Sequence, residues 1–142
     1  MFVDASAIVA ILGREAGHEA IQLQMATAAG PFFVSPLAVF EAVLALARKK
    51  APATRGGDRP SPDLVRQAQA AVQAFVEDIG ATNLLVTPDI GQRALETAAT
   101  YGKIVGHPAD LNFGDCFAYA CAKASGVPPL YKGDDFSQTD LG

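Results

Sequence analysis

No tryptophan occurs in the 142 residues, and aromatic residues make up only 8% of them. The hydrophobic half of the chain is therefore mostly aliphatic and alanine. That composition suits helices packed on a sheet, and it supplies a core without help from disulfides or a structural metal. Cysteine is nearly absent. Cys116 and Cys121 lie five apart, which on a helix puts them on different faces, so they cannot bridge each other. No second cysteine pair or suitable histidine completes a zinc site. Buried free thiols in a reducing compartment are expected. No apolar run reaches the roughly 20 residues of a membrane-spanning helix. The start, Met1-Phe2-Val3-Asp4, lacks the basic stretch of a secretory signal. A soluble, cytoplasmic protein is expected, without a membrane partner.

An excess of positive charge is missing too. The formal net charge is −4, whereas nucleic-acid binders are usually basic. The charge is unevenly spread. Arg48, Lys49, Lys50, Arg55 and Arg59 face one acid, Asp58, within a single stretch. That stretch carries +4 and leaves −8 for the rest of the chain. An acidic site beside a basic arm fits this asymmetry. A solvated loop after a helix, with cations near the helix C-terminus, fits it equally.

Strand-like and helix-like segments alternate. Phe2-Val3, Phe32 to Ser35, Leu84 to Val86 and Leu130-Tyr131 read as short strands. Ala5 to Leu12, Glu19 to Ala28, Pro36 to Lys50, Asp63 to Asp78, the stretch from Pro88 to about Tyr101, and Gly114 to Ala124 read as helices. The Pro36 helix carries Leu37, Phe40 and Leu44 on one face and Val39, Val43 and Leu46 on another. Such a helix is expected to be largely enclosed. Ala51 to Pro62 reads as a loop inserted within one domain spanning residues 1–142. The pattern predicts an α/β fold: a short parallel sheet of about four to five strands with helices on both faces.

Four acidic positions stand out. Asp4 follows a strand, where open α/β sheets bind ligands; it also suits a helix cap. Glu41 lies within about 60° of Leu37 and Leu44 on the helical wheel. A carboxylate on an apolar face must be neutralised, metal-bound or paired, and Arg48 is a candidate partner. Asp115 opens an apolar helix, again a capping position. Asp134 and Asp135 follow Gly133, where an Asx turn is the plain alternative. If these acids converge, a cation must sit between them or their pKa values must rise. Oxygen-only ligands select a hard ion, Mg²⁺ or Mn²⁺. One such ion, or two about 4 Å apart, suits hydrolysis of a phosphodiester.

At this point the sequence resembles a known family. Val3-Asp4-Ala5-Ser6-Ala7 with the apolar Ile8 to Leu12 is similar to the opening of PIN domains. Glu41 within Val39-Phe40-Glu41-Ala42 is similar to their helix acid. Leu111-Asn112-Phe113-Gly114-Asp115-Cys116 and Lys132-Gly133-Asp134-Asp135-Phe136 resemble the two remaining motifs, in the form found in VapC-type toxins. The match is ordered and runs nearly end to end. The resemblance implies a PIN-like fold and a metal-dependent endoribonuclease acting as the toxin of a toxin–antitoxin pair. It implies Mg²⁺ or Mn²⁺ held by Asp4, Glu41, Asp115 and one or both of Asp134 and Asp135, with Asp135 the better match. Ser6 would support the site and Asn112 would assist from a nearby loop. Arg48, Lys49, Lys50, Arg55 and Arg59 would grip RNA phosphates. Partners implied are an RNA substrate, a cognate antitoxin and a second copy in a homodimer, or a hetero-oligomer with the antitoxin. The antitoxin would lay an amphipathic segment into a groove involving Ala5–Leu12 and Pro36–Ala47.

Two other readings compete. A catalytically inactive PIN-fold interaction module would act only through a protein partner. A phosphatase of the haloacid-dehalogenase type needs a second Asp two residues after the first, where Ser6 stands, and a receiver domain needs an acidic pair near the first strand, which is missing.

Overall fold

The computed structural model describes residues 1–52 and 59–142. Arg55, expected in the basic arm, lies outside the described residues. Phe2–Val3 forms strand β1, and Asp4 leads at once into helix α1, Ala5–Leu12. Helix α2, His18–Thr27, precedes strand β2, Phe33–Val34. Ser35 then caps helix α3, Pro36–Lys50, its hydroxyl accepting from Ala38 N–H at 3.1 Å. Pro36 takes the first turn, where its missing N–H costs nothing. Helix α4, Pro62–Asp78, is followed by strand β3, Thr82–Asn83, and helix α5, Pro88–Tyr101. Helix α6, Phe113–Ser125, leads to strand β4, Pro129–Leu130.

All strand pairs are parallel, in the order β3-β2-β1-β4. The chain therefore reverses direction across the sheet at β1, with β2 on one side and β4 on the other. A crevice opens beyond the carboxyl ends of the strands at such a switch point. Alternation in β1 feeds two cores. Val3 packs into a core with Ile8, Ala42, Leu46, Val72 and Leu130, closed by α1, α3 and α4. Phe2 packs into the other, with Ile90, Leu111, Cys116, Cys121 and Phe136, closed by α5 and α6. Both thiols are free and buried, as expected. Among the described residues no helix is long and apolar enough to cross a membrane.

Three expectations need correction. The third strand is Thr82–Asn83, not Leu84 to Val86, and Leu85 is 80% exposed. The short turn after α4 sets this register: Thr82 N–H donates to Phe32 and Leu84 N–H to Val34, at 2.9 and 2.8 Å. An edge strand open to solvent needs no apolar side chains, so hydrophobicity pointed to the wrong residues. Helix α3 is not enclosed all round. Ala42, Val43, Leu46 and Ala47 are buried, but Phe40 is 61% exposed. Helix α6 begins at Phe113, with Asn112 as its cap.

Phe136 is fully buried and meets Tyr131 edge-on, with ring centroids 4.9 Å apart. It anchors the segment after β4 that carries Asp135. Phe136→Ala is expected to cost about 3–5 kcal/mol of stability in a denaturant titration, through the lost burial and the cavity left behind. Phe136→Leu should retain most of it.

Candidate active site

Five chain segments bring carboxylates to one cavity of about 410 Å³, lined by Asp4, Glu15, Glu41, Asp115 and Asp135 together with Ser6 and Asn112. Larger apolar clefts lie elsewhere on the surface, but the chemistry-bearing side chains gather in this smaller one.

Asp4 stands at the carboxyl end of β1, its N–H donating to Leu130 O at 3.0 Å. Its carboxylate caps α1, accepting from Ser6 N–H at 2.9 Å and from the Ser6 hydroxyl at 2.6 Å. The capping role and the site role thus coexist, since one oxygen takes both bonds. Asp4 is only 5% exposed. Burial pushes its pKa up, against the Ser6 hydrogen bonds that lower it, and Asp135 adds repulsion.

Glu41 reaches the cavity from α3, over the start of α6. A Cβ at Gly114 would collide with its carboxylate, so a larger residue there would displace the Glu41 head group from this position. Burial raises its pKa to about 7, with Asp4 and Asp115 contributing repulsion. Asp115 is the third residue of α6 and half of a capping box. Asn112 Oδ1 accepts from Gly114 and Asp115 N–H at 2.8 and 3.1 Å, while Asp115 Oδ2 accepts from Asn112 N–H at 2.8 Å. Asn112 therefore fixes the helix start that presents Asp115. The Asp115 pKa is raised to about 6, first by burial and then by Asp135 and Asp4, against the Asn112 hydrogen bond.

Asp135 lines the cavity from the segment after β4, and burial, with repulsion from Asp134, raises its pKa. Asp134 is exposed and absent from the cavity wall. Among the described residues no three acid, histidine or cysteine side chains stand in ready-made coordination geometry.

The basic stretch divides. Arg48, Lys49 and Lys50 end α3, where cations complement the helix dipole. Lys49 is ion-paired with Glu15, while Arg48, Lys50 and Arg59 are exposed. Sequence reasoning missed Glu15 and Lys132, which also line the cavity. Lys132 N–H donates to the Ser6 hydroxyl at 3.0 Å. Its place in the Lys132-Gly133-Asp134-Asp135 motif was the available signal; nothing in the sequence marks Glu15.

Oxygen-only donors of rising pKa around one cavity fit a hard divalent cation. Without one, the same groups predict a pH dependence. A carboxyl whose folded pKa exceeds its unfolded one binds protons in the folded state, so folding gains stability as pH falls. For Glu41 that gain accrues between about 7 and the ordinary 4.5, and for Asp115 between about 6 and 3.8. Glu15 and Asp140, held low by lysine partners, lose stability only below their ordinary values. The metal-free protein in EDTA is expected to melt a few degrees higher at about pH 5.5 than at about pH 7.5. A melting temperature that falls over this interval contradicts the electrostatics described.

The PIN-domain family model matches residues 1–141. A VapC ribonuclease of Rhizobium meliloti is 51% identical over 142 residues, covering 99% of both chains. Ribonuclease VapC42 of Mycobacterium tuberculosis is 32% identical over 141 residues, covering 99% of this chain and 96% of its own. The crystal structure of Mycobacterium tuberculosis VapC20, a sarcin–ricin loop cleaving toxin, aligns with a TM-score of 0.69 at 21% identity, covering 96% of this chain and 92% of that one. That likeness bears on the fold. With its parallel sheet and its ordered motifs, the chain belongs to the PIN-domain family, among the VapC ribonucleases.

Proposed function

We propose that this chain is the toxin of a toxin–antitoxin pair, an endoribonuclease that hydrolyses RNA phosphodiester bonds with Mg²⁺ or Mn²⁺. One observation carries the reading: Asp4, Glu41, Asp115 and Asp135, far apart in sequence, line a single cavity. The VapC ribonuclease relatives support the same activity.

In this reading the four carboxylates would hold the ion, which would supply activation of a water and charge neutralisation at the phosphate. Ser6 orients Asp4 and ties it to the main chain at Lys132. Asn112 positions Asp115 by capping α6. Gly114 keeps the space that Glu41 needs. Arg48, Lys50 and Arg59 offer phosphate contacts beyond the cavity.

The antitoxin partner fits an apolar groove of about 770 Å³ between α3 and α4, lined by Val39, Phe40, Val43, Leu44 and Val65. An amphipathic segment suits such a groove. Helix α3 of the expected groove lines it, and helix α1 does not. A homodimer fits the apolar face where Leu95, Ile104 and Phe113 are 66%, 86% and 68% exposed. A cytoplasmic location accords with buried free thiols. The inactive interaction module would keep the groove and lose the ion.

Asp4→Asn is expected to lower Mn²⁺-dependent cleavage of RNA by more than about 100-fold, and Ser6→Ala by about 10- to 100-fold, the range typical of residues that orient a metal ligand. Circular dichroism should show both folded. Full cleavage by a folded Asp4→Asn variant rules out the mechanism. Absence of saturable Mg²⁺ or Mn²⁺ binding by calorimetry favours the interaction module.

A further inference from the structure

Beside the four acids, one charged network shares the cavity wall. Glu15 lies in the turn between α1 and α2, and Lys132 lies between β4 and Asp135. One Glu15 oxygen accepts from Lys132 Nζ and the other from Lys49 Nζ. Three segments thus converge on one carboxylate.

The turn is shaped to deliver it. Arg14 adopts a left-handed conformation at φ 48°, unusual for a residue with a side chain. Glu15 N–H donates back to Ala10 O at 2.9 Å. Gly13 gives passage to the Lys49 stem, since a Cβ there would meet Lys49 Cε at 3.2 Å and Val9 O at 2.7 Å. Partly exposed ion pairs add little to stability, so stability alone does not account for two lysines meeting on Glu15.

Electrostatics supplies another role. Among the described residues Lys132 is the one basic side chain on the cavity wall. Asp4, Glu15, Glu41, Asp115 and Asp135 surround it. Among the charged wall residues only Lys132 attracts a phosphodiester directly; the acids would do so only through the ion of the reading above. Glu15 is shared between two ammonium groups, so the network keeps a net positive charge and Lys132 is tethered without being neutralised. An ammonium has three donors, and Glu15 engages one. The Lys132 side chain is 37% exposed, which leaves the others accessible. Its main chain is held as well, through the Ser6 hydroxyl that orients Asp4.

We propose that Lys132 is the phosphate-binding side chain of the acidic cavity, and that Glu15 is the positioning residue that holds it there. The identity of the ligand, an RNA phosphate, rests on the nuclease reading above.

Anisotropy of a labelled mixed-sequence RNA of about 20 nucleotides in Mg²⁺ tests the proposal, beside Mn²⁺-dependent cleavage of total bacterial RNA. Lys132→Met should weaken RNA binding about tenfold and reduce the salt slope by about one. Lys132→Arg, which keeps the charge, should stay within about threefold of the unaltered chain. Glu15→Gln should raise KM severalfold and leave kcat within about twofold, because a positioning residue acts through binding. Mn²⁺ affinity by calorimetry should be unchanged in all three variants. If Lys132→Met does not fold, Lys132→Gln replaces it with the same expectation. Unchanged RNA affinity and salt slope in the neutral variant overturn the proposal. Cleavage undiminished in Asp4→Asn overturns the nuclease reading instead, and the RNA-binding result then judges Lys132 alone.

Discussion

The site depends on carboxylates held together at the carboxyl ends of the strands of a parallel sheet. Asp4 sits there because β1 ends at Val3 and the chain turns at once into α1, which keeps Asp4 buried at the carboxyl end of the strand. Its carboxylate is desolvated before any neighbour is counted. Glu41, Asp115 and Asp135 then arrive from elements that the same sheet orders in space. Desolvation is the first cause of the raised pKa at each of these four groups; repulsion comes after it, from one another at Asp4, Glu41 and Asp115 and from Asp134 and Asp110 at Asp135. Like charges of this kind, one buried and three half-buried, call for a cation or for protons. The rest of the fold supplies the scaffold that keeps them from separating.

That scaffold works through small devices. A serine hydroxyl gives Asp4 a second bond, a capping box fixes Asp115, and a glycine at the α6 start leaves space for Glu41. Phe136, fully buried, pins the segment after β4 in the core of the α5–α6 face. Each device couples a local rule of helix or turn formation to the position of one acid. The capping explanations for Asp4 and Asp115 and the catalytic one are therefore compatible: the cap sets the geometry in which the acid faces the cavity.

Much of this was legible in the sequence because it follows local rules. The β1–α1 junction, the apolar face shared by Glu41 and Leu44, and the helix start at Asp115 all show in spacing and composition. The alternation of strands and helices was enough for a parallel α/β sheet. Other features depend on contacts far apart in sequence. Thr82–Asn83 is a strand because β2 pairs with it, and no pattern of its own marks it. Phe40 is exposed because α4 covers only one side of α3. The ion pairs of Glu15 with Lys49 and Lys132 span 34 and 117 positions. The side chain of Glu15 meets Lys132 because β4 pairs with β1, so spacing could not reveal it.

The central claim is that these acids form one electrostatic unit poised for a divalent cation. Carbon-detected NMR titration of the Glu41 carboxyl reads it most directly. In the metal-free protein the midpoint should lie near 7, and saturating Mg²⁺ should drive it below the ordinary carboxylate range. A midpoint near 4.5 that ignores Mg²⁺ would contradict the account.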